Sequence, residues 1–508
     1  MSVRLNHLLA LGLYLATFLF TGCATERVGV ANRLLRAPIV GLSRGDQTNI
    51  AVVGITAGKA RIAYRATGTE DSLFSAWEPL LEGNGYAASI ALTALEPEMA
   101  YDYRVEFDAG EPSPSYGFTT FPPQNEPGKF SFVFSACFRE RYRAHVIFDH
   151  IREENPTFLA LLGDNMYGDY DGDIAEVEAI RDNPGYEQTL LQQGDYLPPG
   201  KTVLEVFRNK YQRNFDSYFQ AASSSIPVMA IWDDHDYGQD NSDMNYPYKV
   251  EASKVFKETF PRYPLVESSG ALYYRYTVAD VEFFVLDTRW YRVPMETENG
   301  PEKSILGLEQ LQWLLEGLKN STAAYKFIIS SVSWNDYGGD TSSGRPGLDS
   351  WHGYVHERAK ILAYIRRENL NGILIFSGDQ HYPSAHIMNW DAQPEAIFAS
   401  DTSVTYSLSD LGSAVIDFSA SPLSYHRASG EILPPENQAN PDYSYEIYRA
   451  PWGLRGDHSK WNRKNISSVY GHVEVDTDGP SRHITVTFKH LDWATAKMVT
   501  LYTVELVD

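Results

Sequence analysis

The chain of 508 residues is short of cysteine, of positive charge and of long apolar runs, and each shortage excludes a class of protein. Two cysteines cannot make a disulfide scaffold, so the fold must rest on a packed core. Lys and Arg number 43 against 66 Asp and Glu, a net charge of −23 with histidine neutral. That balance works against a broad grip on nucleic acid and against adhesion by charge to an anionic membrane. An anionic substrate then needs a local attractor, and a bound metal cation would supply one. Beyond Phe20 no stretch approaches the roughly 18 apolar residues that a membrane-crossing helix needs. With 43% hydrophobic and 21% charged residues the composition is globular, not collagen-like, low-complexity or disordered. The length suggests two or three domains.

Arg4 precedes an apolar run from Leu8 to Phe20, followed by Thr21, Gly22 and Cys23, the layout of a secretory signal peptide. Phe20-Thr21-Gly22-Cys23 resembles the bacterial lipobox, with Phe where Leu is usual. That resemblance implies lipid modification of Cys23. The expectation is a lipoprotein-type signal peptide over 1–22, a linker over 23–36, and an exported protein anchored to the cell envelope through Cys23, otherwise periplasmic or secreted. Cys137 is then an unpaired thiol in an exported chain, which asks for a function.

Residues 37–121 read as all-β, with short runs such as Ala60–Tyr64 and Tyr101–Phe107 bounded by Gly, Asn, Asp and Pro. The stretch Leu95–Tyr103 resembles the corner of fibronectin type III-like sandwiches, where a Tyr hydroxyl returns to the backbone. Pro122–Gly128 reads as a linker. From Phe130 onward apolar strands alternate with helical stretches, and Leu308, Leu311, Leu314, Leu315 and Leu318 share a helical spacing. This second domain, 130–508, is therefore α/β with buried sheets. Residues 401–465 have weak periodicity and read as a long insertion beside the site or a surface loop.

Several of these strands run directly into residues that ligate metals. Ser135-Ala136-Cys137, Gly163-Asp164-Asn165-Met166-Tyr167, Trp232-Asp233-Asp234-His235-Asp236 and Ser377-Gly378-Asp379-Gln380-His381 each follow an apolar run. In α/β proteins ligands gather at the carboxyl edge of the sheet. Carboxylates, imidazole, a thiolate and a phenolate can together hold two metals, one of them trivalent iron. An Asp between the two would bridge them.

With Leu286-Asp287-Thr288-Arg289 between them, these motifs resemble, in order, those of the calcineurin-like metallophosphoesterases, and more closely the alkaline phosphatase D (PhoD-like) family. Two departures stand out: Ala136 is inserted in the Ser-Cys motif, and Asp236 replaces Glu. The resemblance implies a metallophosphatase-type β-sandwich flanked by helices in four layers (αββα), behind the fibronectin type III-like domain. It implies that Asp164 bridges two metals, with Cys137, Tyr167 and His381 completing a ferric site. Asp234 and Asp379 would serve a second site, which in this family can hold calcium, so Fe(III) with Ca(II) is the expected pair. His235 would donate a proton to the leaving oxygen or clamp the phosphate while a metal-activated hydroxide attacks. The implied function is that of an exported alkaline phosphatase or phosphodiesterase. The alternative is a non-catalytic surface lipoprotein for adhesion or glycan binding on the same scaffold. The expected partners are a phosphoester and, through Cys23 alone, a membrane.

Neighbouring residues have blander readings. Asp233 reads as a supporting or capping carboxylate. Arg289 either contacts phosphate or pairs with Asp287. Asp240 and Asn241 are substrate-side groups or surface loop, and His352, His356 and His386 are surface or packing residues. The purple acid phosphatases, which the ferric site's phenolate resembles, have a histidine after the strand read at Phe327–Ser331. Here Ser330-Ser331-Val332-Ser333-Trp334 offers none, so the resemblance does not fix the second ligand set.

Overall fold

Strands that are apolar on both faces must be covered on both sides, and the runs from Phe130 onward meet that demand by stacking two sheets. The computed structural model describes residues 33–139, 146–168, 202–266, 270–335, 348–388, 395–423, 425–426, 445–450, 466–479, 481–492 and 495–508. The expected signal peptide and Cys23 lie outside the described residues. One sheet has eight strands in the order Val228–Ile231, Phe158–Leu162, Lys129–Ser135, Val469–Asp476, His483–Asp492, Lys497–Val507, Ser403–Ser407 and Phe398–Ala399. The other has seven, in the order Tyr274–Val278, Val281–Val285, Tyr325–Ser330, Ile373–Ser377, Val415–Ser419, Ser384–Met388 and Tyr445–Arg449.

Phenylalanine fills the space between the sheets. The ring of Phe132 lies 5.0 Å from Phe158 and 5.1 Å from Phe376, and Phe134 lies 5.0 Å from Phe376, centroid to centroid. The opposite face of the seven-stranded sheet, with Phe284, Leu286, Ile328, Ile373 and Ile375, is covered by helices Gly307–Asn320 and Val355–Arg367. Leu311, Leu314 and Leu318 make that contact, whereas Leu308 sits in the first turn and is 70% exposed. Helices Ile147–Glu154 and Ser217–Ser223 meet through Phe148 and Phe219, 5.2 Å apart, in one buried cluster with Val133, Leu159 and Leu161 of the eight-stranded sheet.

Residues 37–121 form two small sheets around their own core of Ile50, Val52, Ile62, Ile90 and Val105. The Tyr101 hydroxyl accepts a hydrogen bond from the Glu96 N–H at 2.8 Å. This unit sits on the helices of the larger one. Tyr103 donates to the Ser224 carbonyl at 2.9 Å, Lys254 to Asn84 at 3.0 Å, and Arg208 to the Gly83 carbonyl at 3.1 Å.

The segment read as an insertion over 401–465 is corrected in part. Ser403–Ser407 is a strand of the first sheet and Val415–Ser419 an inner strand of the second. Their polar residues disguised them: Asp417 is fully buried, yet it accepts from Ser377, Trp334 and Asn335. Much of 424–465 lies outside the described residues. Among the described residues no helix is long and apolar enough to cross a membrane.

Candidate metal centre

Lys129–Ser135, Phe158–Leu162 and Val228–Ile231 run parallel in the first sheet. Val281–Val285, Tyr325–Ser330, Ile373–Ser377 and Val415–Ser419 do so in the second. Their carboxyl ends therefore gather at one edge. Two glycines show how closely. A Cβ on Gly378 would meet the Ala136 Cβ at 2.5 Å, the Ser331 carbonyl oxygen at 3.1 Å and the Leu162 carbonyl oxygen at 3.3 Å. Gly163 has φ of +106°, and a Cβ there would meet the Asp233 Cβ at 2.5 Å. Only glycine lets these loops approach. Cys137, Asp164, Asp379 and His381 themselves take positive φ, between 52° and 62°. Such a conformation is uncommon for residues with a Cβ and clusters at functional sites.

The turns bring the expected residues together. Sγ of Cys137 and ligand atoms of Asp164 and His381 lie within 4.8 Å of one another, and so do ligand atoms of Asp164, Asp234 and His235. Asp164 is common to both groups. Tyr167 donates to Asp164 Oδ2 at 3.1 Å, its ring lies 4.2 Å from that of His235, and the Arg139 guanidinium stands 5.2 Å above it. Asp234 is held from two sides, its Oδ1 accepting from the His235 N–H at 2.9 Å and its Oδ2 from the Asn241 N–H at 2.7 Å. His235 Nε2 is 3.8 Å from Asp240 Oδ1. His235 thus falls among the donor atoms. Asp379 enters neither group: its backbone oxygen is 4.0 Å from Cys137 Sγ, and its carboxyl interacts with Asp233, Asp349 and Asp234. His352, His356 and His386 enter neither group, and His386 is fully buried.

The electrostatics are those of a buried cluster crowded with carboxylates. Burial, then the neighbouring Asp234, Asp233 and Asp236, hold the Asp164 carboxyl well above its ordinary range against the pull of His235. Burial with Asp233, Asp349 and Asp234 does the same to Asp379, and burial with Asp164 and Asp379 to the Cys137 thiol. Asp234 moves the other way: its burial is outweighed by His235, Arg289 and the Asn241 N–H. Among the described residues, Asp164 Oδ1 is buried with no hydrogen-bond partner. A bound cation would ease this crowding, since metal binding keeps carboxylates and thiolates deprotonated. Thiol, imidazole, phenol and carboxylate donors fit a metal ion here.

Several supporting residues were not read as such from the sequence. Asp236 accepts from the Asn165 N–H at 3.1 Å, the Asp233 N–H at 3.1 Å and the Tyr211 hydroxyl at 2.8 Å, tying the Asp164 turn to the Asp234 turn. Burial lifts its pKa to about 7. Asn335 donates to Gln380 at 3.1 Å and to Asp417 at 3.2 Å, and Gln380 precedes His381. Arg289 is corrected: Asp287 accepts its backbone N–H at 2.9 Å, but the guanidinium pairs with Asp233 and Asp349 and is fully buried. Asp349 opens Asp349-Ser350-Trp351-His352-Gly353-Tyr354, a stretch that resembles a family landmark, but nothing in the sequence pointed to Arg289, 60 residues earlier, as its partner.

The two stacked sheets with a carboxylate-rich centre at their carboxyl edge define the metallophosphatase class of architecture. The PhoD-like phosphatase family model matches residues 132–451, and the chain belongs to that family. It is 27% identical over 331 residues to alkaline phosphatase D of Bacillus subtilis (strain 168), a match over 58% of this chain and 53% of that protein. The chain thus spans about half the length of the curated relative it matches. Among solved structures it resembles that of PhoD, with a TM-score of 0.68, 18% identity, and coverage of 95% of this chain and 91% of that one. It also resembles a purple acid phosphatase from yellow lupin (Lupinus luteus) seeds, with a TM-score of 0.57, 11% identity, and coverage of 93% and 75%.

Proposed function

We propose that this protein hydrolyses phosphoesters, as an alkaline phosphatase or phosphodiesterase, at a dinuclear metal centre bridged by Asp164. The observation that carries the reading is the pair of donor groups sharing that one buried carboxylate. Cys137, His381 and Tyr167 would hold the first metal, Fe(III), for which thiolate and phenolate donors are suited. Asp234 and Asp379 would serve the second, Ca(II), an oxygen-preferring cation. When bound, the metals neutralise the phosphoryl oxygens and activate the attacking water. The chain's own part is positional and protic. The backbone N–H groups of His235 and Asn241 aim Asp234, and His235, beside Asp240, gives a proton to the leaving oxygen or clamps the phosphate.

The same reading takes the stacked sheets and their helices as the four-layer αββα sandwich of this class, and residues 37–121 as a fibronectin type III-like unit. It places the protein outside the cytoplasm, lipid-anchored at Cys23, on the charged start, apolar run and lipobox-like ending of residues 4–23.

The test is p-nitrophenol release from mono- and bis-p-nitrophenyl phosphate by the purified protein, with metal analysis and an absorption spectrum. Turnover of either ester should accompany bound iron and a phenolate or thiolate charge-transfer band that Tyr167→Phe shifts or removes. A metal-loaded protein that cleaves neither ester would sink the enzymatic reading. A colourless active enzyme holding only zinc would overturn the iron.

A further inference from the structure

Behind the donor groups lies a buried charge network drawn from three distant parts of the chain. Asp233 lies two residues past the Val228–Ile231 strand, Arg289 and Arg292 follow Val281–Val285, and Asp349 precedes the short turn Trp351–Tyr354. Arg289 donates from Nε to Asp233 Oδ1 at 2.6 Å and from its two terminal nitrogens to both oxygens of Asp349 at 3.0 and 2.8 Å. Arg292 pairs with Asp349 at 2.8 Å. Ser331 adds a second donor to Asp233 Oδ1 at 2.8 Å, and Arg289 Nη2 is 3.9 Å from Asp234 Oδ1. All three nitrogens of Arg289 are committed, and the side chain is fully buried, so it does not turn toward a substrate phosphate.

A buried ion pair is a poor device for stability alone, because desolvating the charges costs about as much as their attraction returns. Its value is geometric: a guanidinium fork fixes the planes of the carboxylates that it grips. Here the fork grips the residue next to Asp234. Asp233 also has an oxygen, Oδ2, that is buried without a hydrogen-bond partner among the described residues. Released from Arg289, that carboxylate would compete with Asp234 for a cation.

We propose that Arg289 is a positioning residue for the second metal site: by holding Asp233 and Asp349 it fixes the turn so that Asp234, not Asp233, faces the cation. The inference rests on the dinuclear reading above. It predicts that the arginine sets the affinity of the second site and leaves the Cys137–His381 site alone.

The experiment uses the full-length protein, stripped by chelation, reloaded with iron and titrated with Ca²⁺ by calorimetry, with metal counted by mass spectrometry. Arg289→Met and Arg289→Lys should weaken Ca²⁺ binding by about 10–100-fold, the usual cost of losing a group that supports a ligand, while iron stays at one per chain. Lysine keeps the charge but loses the fork, so Arg289→Lys decides the matter where Arg289→Met does not fold. Unchanged Ca²⁺ affinity in a folded Arg289→Lys protein would overturn the inference and leave the dinuclear centre standing. Wild-type protein that takes up no second cation would overturn both.

Discussion

His235 and Asp234 are chain neighbours with different proposed work, and the structure holds them differently while keeping both beside Asp164. Asp234 spends both oxygens on backbone N–H groups that aim it, while the His235 ring leans on Tyr167 and faces the exposed Asp240. In the proposed role of proton donor, His235 would matter in proportion to the basicity of the departing oxygen. His235→Ala should therefore cost about 10²–10⁴-fold on alkyl phosphates and much less on nitrophenyl phosphate, whose leaving group departs unprotonated. Turnover on the two esters, with metal content measured alongside, checks this. Equal losses would indicate phosphate clamping, and loss of a metal would make His235 the ligand that its place beside Asp164 and Asp234 allows.

Among the elements, helix Ile147–Glu154 is tied to the eight-stranded sheet by its last residue. Glu154 accepts from Tyr470 at 2.8 Å and Lys489 at 2.7 Å and lies 3.4 Å from His472. Burial pushes the Glu154 pKa up, but the Lys489 and Tyr470 hydrogen bonds and the nearby positive charge outweigh it and hold it below the usual carboxylate range. The folded chain then binds that proton less tightly than the unfolded one. The resulting stabilisation is present above the unfolded value of about 4.3 and is lost as pH falls through the folded value. Wild type should melt above Glu154→Gln at pH 7, and the gap should close as pH drops below about 4. A gap that stays constant from neutral to acid pH, followed by calorimetry or circular dichroism, would rule this linkage out.

For the molecule as a whole, the proposed metal centre would also be a staple, because its donor residues come from turns after four different strands of both sheets. An ion that binds only the folded state adds stability by mass action, about 2.7 kcal/mol at a hundred times its dissociation constant. Chelation should therefore lower the melting temperature, and metal added back at neutral pH should restore it. Identical melting curves with and without chelator, on protein shown to have lost its metal, would mean that the apolar core alone sets stability.

The family was legible along the chain, and so were the strand ends that carry metal-ligating residue types. Apolar runs leading into Cys137, Asp164, Tyr167, Asp234 and His381 marked strand ends bearing residue types that can ligate metals, because residue type and period are local properties. The Asp417 strand escaped notice because buried polar residues satisfied by distant partners look like loop when read along the chain. Which carboxylates stand free for a metal was decided only by the tertiary structure. Arg289 was legible as charged and close to Asp287, yet its real partners, Asp233 and Asp349, lie 56 and 60 residues away. An ion pair acts through space, and neither period nor propensity records which distant turn will supply the opposite charge.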